Sequence, residues 1–129
     1  VEEQIILLDT SVLIDYFRKK AKSKSYFYKL TEKSSSFVVS LITHFEIYTG
    51  IVSDIQQIIW DDFFKGITVL SFDVEISIIA ANMNIRLKKN RKQIDKADLF
   101  IAATAIRHKV LCATLNRKHF ERIEELRLI

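Results

Sequence analysis

Residues 94–116 read IDKADLFIAATAIRHKVLCATLN, and this stretch decides the fold. Asp95 stands where a helix N-cap is expected. Asp98 falls near the third helical position, where the helix N-terminus favours a negative charge. Ile101, Ala102, Ala105 and Ile106 recur at helical spacing, and Ala102, Ala103 and Ala105 are small enough for close packing on a sheet. The helix feeds directly into an apolar strand over residues 110–113, which ends at Thr114-Leu115-Asn116. A helix that leads into the start of a strand runs antiparallel to it. Its N-terminus, with Asp98, is therefore carried back to the strand's carboxyl end.

Working outward, the same alternation repeats. Residues 4–8 form a short apolar run without alternation, as expected of a strand covered on both faces. Asp9-Thr10-Ser11 follow as capping residues, then Val12, Leu13, Tyr16 and Phe17 at helical spacing. A second helix is expected over residues 21–33, a polar break at Ser34-Ser35-Ser36, and a second strand over residues 37–42. Thr43 is expected to open a helix to about residue 51, and residues 54–64 to form another that stops at Lys65-Gly66. A third strand over residues 67–72 precedes a long helix capped by Asp73 and reaching Lys89. The first half of that helix is apolar almost all round, which predicts packing on more than one side and points to a second subunit. Beyond Asn116, a short helix over residues 117–123 and a fifth, edge strand over residues 126–129 complete the pattern. Strands alternating with helices predict one α/β domain spanning residues 1–129, a three-layer α/β/α sandwich around a five-stranded, mainly parallel sheet.

The composition fits a globular chain of 129 residues, 49% hydrophobic and 28% charged. No apolar run approaches the ~20 residues a bilayer crossing needs, and Glu2 and Glu3 precede the first strand where a signal segment would be apolar. A cytoplasmic protein is expected, with the single cysteine, Cys112, as a small buried hydrophobe. The net charge is +4, concentrated in two clusters. Arg18, Lys19, Lys20, Lys22, Lys24, Lys29 and Lys33 surround Tyr26, Phe27 and Tyr28; Arg86, Lys88, Lys89, Arg91 and Lys92 precede Asp95. Basic residues with interleaved aromatics suit a polyanion. Solvated helix ends complementing the dipole are the plainer reading of the same residues.

In a parallel sheet, ligands bind beyond the carboxyl ends of the strands. Asp9 follows strand one, Glu46 lies just after strand two, Asn116 follows strand four, and Asp98 is returned to the same edge. Each acid alone could be a cap, and Thr43-x-x-Glu46 matches a capping box. Together, three uncompensated carboxylates would repel one another and raise their pKa values. A bound divalent cation relieves that, and hard oxygen donors favour Mg²⁺ or Mn²⁺ over zinc. The three histidines form no zinc pattern: His44 shares no close helical spacing with another ligand, His108 sits at a helix end where a cation is favourable, and His119 could approach the crevice from the last helix but is given no role. With two glycines there is no phosphate-binding glycine loop, and no serine nucleophile elbow is present.

LLDTSVLID at residues 7–15 and SLITHFEIYTG at 40–50 resemble the opening half of a PIN domain, and DLFIAATAIRHKVLCATLNRKHFERI at 98–123 its closing half. The likeness extends to the VapC toxins of type II toxin–antitoxin pairs. The resemblance implies a metal-dependent endoribonuclease with catalytic, metal-binding acids at Asp9, Glu46 and Asp98. Many members carry a fourth acid where this chain has Asn116, so a second metal position is in doubt. Thr10, Thr114 and Asn116 are then expected to orient ligands or the scissile phosphate. Lys19, Lys20, Lys22, Lys88, Lys89 and Arg91 are expected along the RNA backbone. Homodimerisation and capture of an antitoxin protein are implied as well. The alternative is a PIN-like module that holds RNA or protein without cutting. A phosphoryl-transfer site built on Asp9 as nucleophile would want a second Asp two positions on, where Ser11 stands.

Overall fold

The computed structural model describes residues 4–129; Glu2 and Glu3 lie outside them. Four strands, β1 (Ile6–Leu8), β2 (Phe37–Ser40), β3 (Thr68–Leu70) and β4 (Leu111–Ala113), form one sheet of order β3-β2-β1-β4. Every pairing is parallel. Helices α1 (Thr10–Arg18) and α2 (Tyr26–Thr31) lie between β1 and β2, and α3 (Leu41–Thr49) and α4 (Asp54–Lys65) between β2 and β3. Helices α5 (Val74–Lys89) and α6 (Lys96–His108) carry the chain across to β4, and α7 (Arg117–Phe120) follows it.

The side-chain alternation of the central strands creates the three layers. Leu7 and Cys112 face one apolar cluster with Ile76, Ala80, Met83 and Leu87 of α5 and the small-residue stripe of α6. Ile6, Leu8 and Ala113 face the other, with Val12, Leu13, Leu30, Ile47 and Trp60. All three residues of β1 are buried, which explains why its sequence shows no polar alternation.

Several boundaries differ from expectation, each for a local reason. The fifth strand is not formed: Leu128 makes a single parallel bridge to Cys112, with Cys112 N–H donating to Arg127 O at 2.8 Å and Ile129 N–H to Cys112 O at 3.0 Å. β4 is only three residues long, between Lys109 in the left-handed region (φ 55°) and the turn at Thr114, so its outer edge holds little more than one residue's pairing. The expected helix over 21–33 splits into a 3₁₀ turn (Lys22–Lys24) and α2, because the buried Ser25 accepts from Tyr28 N–H at 3.2 Å and starts a new helix. Strand two ends at Ser40, whose hydroxyl accepts from Ile42 N–H at 3.1 Å and opens α3. Thr43 is therefore a buried residue inside α3 and not its cap; the capping box with Glu46 is not formed. Asp73 caps α5 as expected, accepting from Ile76 N–H at 2.8 Å. Only one face of α5 is packed, however: Val74, Ile78 and Ile85 are 74%, 55% and 58% exposed.

Candidate active site

The parallel sheet delivers its functional side chains to one edge. Asp9 is the residue after β1, and its N–H donates to Ala113 O at 2.9 Å, tying it to the end of β4. It is buried and its Oδ2 receives two hydroxyls, from Ser11 and Thr114, each at 2.7 Å. Ser11 in turn accepts from Leu115 N–H at 3.0 Å, and Thr114 from Asn116 N–H at 2.9 Å. These bonds lock α1 to the loop after β4. They leave Asp9 Oδ1 without a hydrogen-bond partner among the described residues.

Glu46 sits in the second turn of α3, one turn deeper than expected because the helix begins at Leu41. Thr10 donates to its Oε1 at 2.7 Å, and the Thr10 and Thr43 hydroxyls are 2.9 Å apart in the interior. Asp98 is the third residue of α6, at the end that antiparallel packing returns to the carboxyl edge. Burial first, and then the charges of Asp9, Asp95 and Glu46, push its pKa up from 3.8 to about 6, against a lowering effect of His119. Asn116 Nδ2 lies 3.4 Å from Asp98 Oδ2 and 2.8 Å from His119 Nδ1, and His119 Nδ1 is 3.8 Å from Asp98 Oδ2. Cys112 lies fully buried behind the site, its thiol pushed up by burial and then by Asp9 and Asp98, the inert role expected.

Asp9, Glu46 and Asp98 thus stand at one edge of the sheet, near enough for Asp98 to feel the charges of the other two. Among the described residues no three acidic, histidine or cysteine side chains close around a common point, so the acids form an open rim rather than a cage. The reason is visible in the bonds: Glu46 is turned to Thr10, and half of the Asp9 carboxylate is committed to hydroxyls. An all-oxygen rim with an unrelieved carboxyl at Asp98 fits a hard divalent cation that keeps several waters and takes further ligands from a phosphate substrate. Ser11, Thr43 and His119 join the site beyond the residues the sequence singled out with a role. A hydroxyl two positions after Asp9 is a recognisable local-turn signal for Ser11; Thr43 was disguised by its false capping box.

Of the basic residues, Lys22 is committed to structure: its ammonium donates to Tyr16 O at 2.7 Å and Phe17 O at 2.9 Å, closing the C-terminus of α1. Lys19 pairs with Asp15 at 3.7 Å, and with Ser11, Ile14, Asp15 and Arg18 it lines a groove that reaches from the first basic cluster to the neighbour of Asp9. Lys20, Lys88, Lys89 and Arg91 are exposed; the last three stand at the end of α5, shortly before Asp95.

This sheet order, with acids from β1, α3 and α6 gathered at the carboxyl edge, defines the class. The chain belongs to the PIN domain family, which it matches over residues 6–126. Among individual relatives, it is 39% identical over 127 residues to Ribonuclease VapC1 of Methanocaldococcus jannaschii, an alignment covering 98% of this chain and 87% of that protein. It is 31% identical over 131 residues to Ribonuclease VapC of Rickettsia bellii, covering 96% and 94%. The fold is shared with the structure of DNA-bound VapBC from Salmonella typhimurium, with a TM-score of 0.85 at 23% identity over 98% of this chain and 97% of that one. It is shared also with FitAcB from Neisseria gonorrhoeae, with a TM-score of 0.80 at 24% identity over 96% of each. No helix among the described residues is long and apolar enough to cross a membrane.

Proposed function

We propose that this chain is a divalent-metal-dependent endoribonuclease, the toxin of a toxin–antitoxin pair acting in the cytoplasm. The observation that carries the reading is the gathering of Asp9, Glu46 and Asp98 at the carboxyl edge of a family fold whose relatives are named ribonucleases, with the Asp98 carboxyl raised first by its burial and then by the neighbouring acids. Asp9, through Oδ1, and Asp98 would hold Mg²⁺ or Mn²⁺, with Glu46 joining directly or through water. The cation supplies Lewis acidity toward a phosphodiester and makes a bound water a better nucleophile.

The chain's own residues do the rest. Ser11 and Thr114 hold the Asp9 carboxylate in one orientation, and Thr10, braced by Thr43, does the same for Glu46. Asn116 turns its amide toward Asp98 without adding a charge, so the rim carries three acids and suits one firmly held cation. Lys20, Lys88, Lys89 and Arg91, with Lys19, supply positive charge for an RNA backbone; these contacts position the polymer without reading its sequence. Apolar faces stand exposed among the described residues. Val74, Ile78 and Ile85 on α5 suit a homodimer, and Phe45, Val52, Ile55 and Ile58 on α3–α4 suit an apolar antitoxin segment, because a monomer rarely exposes such patches.

The test is cleavage of single-stranded RNA by the purified protein with Mg²⁺ or Mn²⁺ and with EDTA. Metal-dependent cleavage abolished in Asp9→Asn is expected; metal-independent cleavage, or full activity in that variant, overturns the assignment. RNA binding without cleavage under every condition selects the non-cutting module instead.

A further inference from the structure

His119 joins the site but has no part in the chemistry assigned so far, and its ring is held by Asn116. Asn116 Nδ2 faces both Asp98 Oδ2, at 3.4 Å, and His119 Nδ1, at 2.8 Å. An amide nitrogen carries two protons and accepts nothing. With the amide turned over, its oxygen would confront the Asp98 carboxylate. Asp98 therefore orients the amide; in the neutral ring the amide makes Nδ1 the acceptor and leaves the proton on Nε2, and in the charged ring Nε2 carries a proton as well. The side chain is 43% exposed, so this N–H edge is open to solvent beside the acidic rim. Arg117, next to Asn116, is already engaged, with Glu121 at 3.5 Å and Ile129 O at 2.8 Å.

Resting on the endoribonuclease reading, we propose that His119 contacts the substrate, its Nε2–H donating a hydrogen bond to a non-bridging oxygen of the RNA phosphate at the Asp9–Asp98 crevice, with Asn116 as the positioning residue. One oriented donor to an anionic oxygen contributes about tenfold in affinity.

The amide analogues of histidine separate this role from simple bracing. Glutamine at position 119 reaches the Nε2 position with an N–H; asparagine reaches only Nδ1, where its oxygen still accepts from Asn116. His119→Asn is expected to raise KM for a single-stranded RNA oligonucleotide about tenfold with kcat within about threefold, and His119→Gln to recover most of the loss. Thermal melting checks that both variants fold. Independently of turnover, nitrogen NMR of the wild-type imidazole in EDTA follows the ring directly. The Nε2 signal should shift when oligoribonucleotide is added to saturation, as judged by anisotropy. An unchanged KM in His119→Asn, equal losses in both variants, or an Nε2 signal indifferent to saturating RNA overturns the proposal. A wild type that cleaves no RNA but whose Nε2 signal moves would sink the endoribonuclease reading and leave the contact standing.

Discussion

Replacing Asp98 by Asn should make the metal-free protein more stable. In the folded chain the Asp98 carboxyl titrates near 6 rather than 3.8, chiefly through burial and then the charges of Asp9, Asp95 and Glu46. The folded state therefore holds this proton more tightly than the unfolded state. The penalty is absent below about pH 4, grows as the pH rises, and is complete above about pH 6. In the absence of solvent screening that difference in pKa corresponds to roughly 3 kcal/mol. The side chain keeps 19% of its surface in water, and its neighbours are screened, so about 1–2 kcal/mol is the expected size. For a chain of this length that is a rise of roughly 4–8 °C in melting temperature. Asparagine keeps the shape and removes the charge. In EDTA, Asp98→Asn should melt above wild type by that margin at pH 7.5, with the gap closing toward pH 4. Saturating Mn²⁺ should reverse the order, since ligand at a hundredfold over its Kd adds about 2.7 kcal/mol to the protein that binds it. Equal or lower melting of the variant in EDTA throughout pH 5–8 would refute the argument that burial and neighbouring acids leave the Asp98 charge uncompensated.

Three further outcomes test neighbouring parts of the molecule. Thr114→Val removes one of two donors from the buried Asp9 Oδ2 and the acceptor of Asn116 N–H. It should cost about 1–3 kcal/mol in urea unfolding and lower cleavage, while wild-type behaviour in both would exclude a role for the hydroxyl. Asn116→Asp adds a charge of nearly the same shape beside Asp98; calorimetry should show tighter Mn²⁺ binding, and an unchanged isotherm would place Asn116 outside the cation site. Ile78→Asp, on the unpacked face of α5, should turn a dimer into a monomer by light scattering at micromolar concentration with little change in fold, and a wild type that is already monomeric would remove the dimer proposal.

The sheet and the placement of Asp9, Asp98 and Asn116 were legible in the sequence because each depends on topology: an acid directly after a buried strand, or at the start of a helix leading into one. What sequence reading missed lies at the scale of single hydroxyls. Ser40 and Thr43 are both plausible caps, and only the end of the ladder at Ser40, paired with Leu70 on β3, decides between them. Once α3 starts at Leu41, Glu46 moves down a turn and Thr43 becomes a buried partner of Thr10. The fifth strand failed for a similar reason: residues 126–129 have strand-like composition, but β4 offers too short an edge. Charge clusters were the least informative, since Lys22 looks like its neighbours and is consumed by the carbonyls of α1. The apolar sequence of α5 predicted burial on several sides; within the chain it is buried on one.

The polar surroundings of the acids show how a fold tolerates a site that works against it. Asp9 is held at the junction of two apolar layers, where an unpartnered carboxylate would be neutralised or expelled. Two hydroxyls donate to its carboxylate and its backbone N–H is tied to Ala113 O, and the same bonds fasten α1 to the loop after β4. Glu46 is treated likewise by Thr10. Asp98 has no comparable donor among the described residues, only the long contact from Asn116 and a histidine beyond it, so the cost of burial and then of the neighbouring charges collects there. The arrangement is asymmetric: two acids are fixed and satisfied at the sheet edge, and one is left under-satisfied at a helix N-terminus. A cation arriving at the rim would therefore do its largest electrostatic work at Asp98, the one carboxylate whose surroundings leave its charge least compensated.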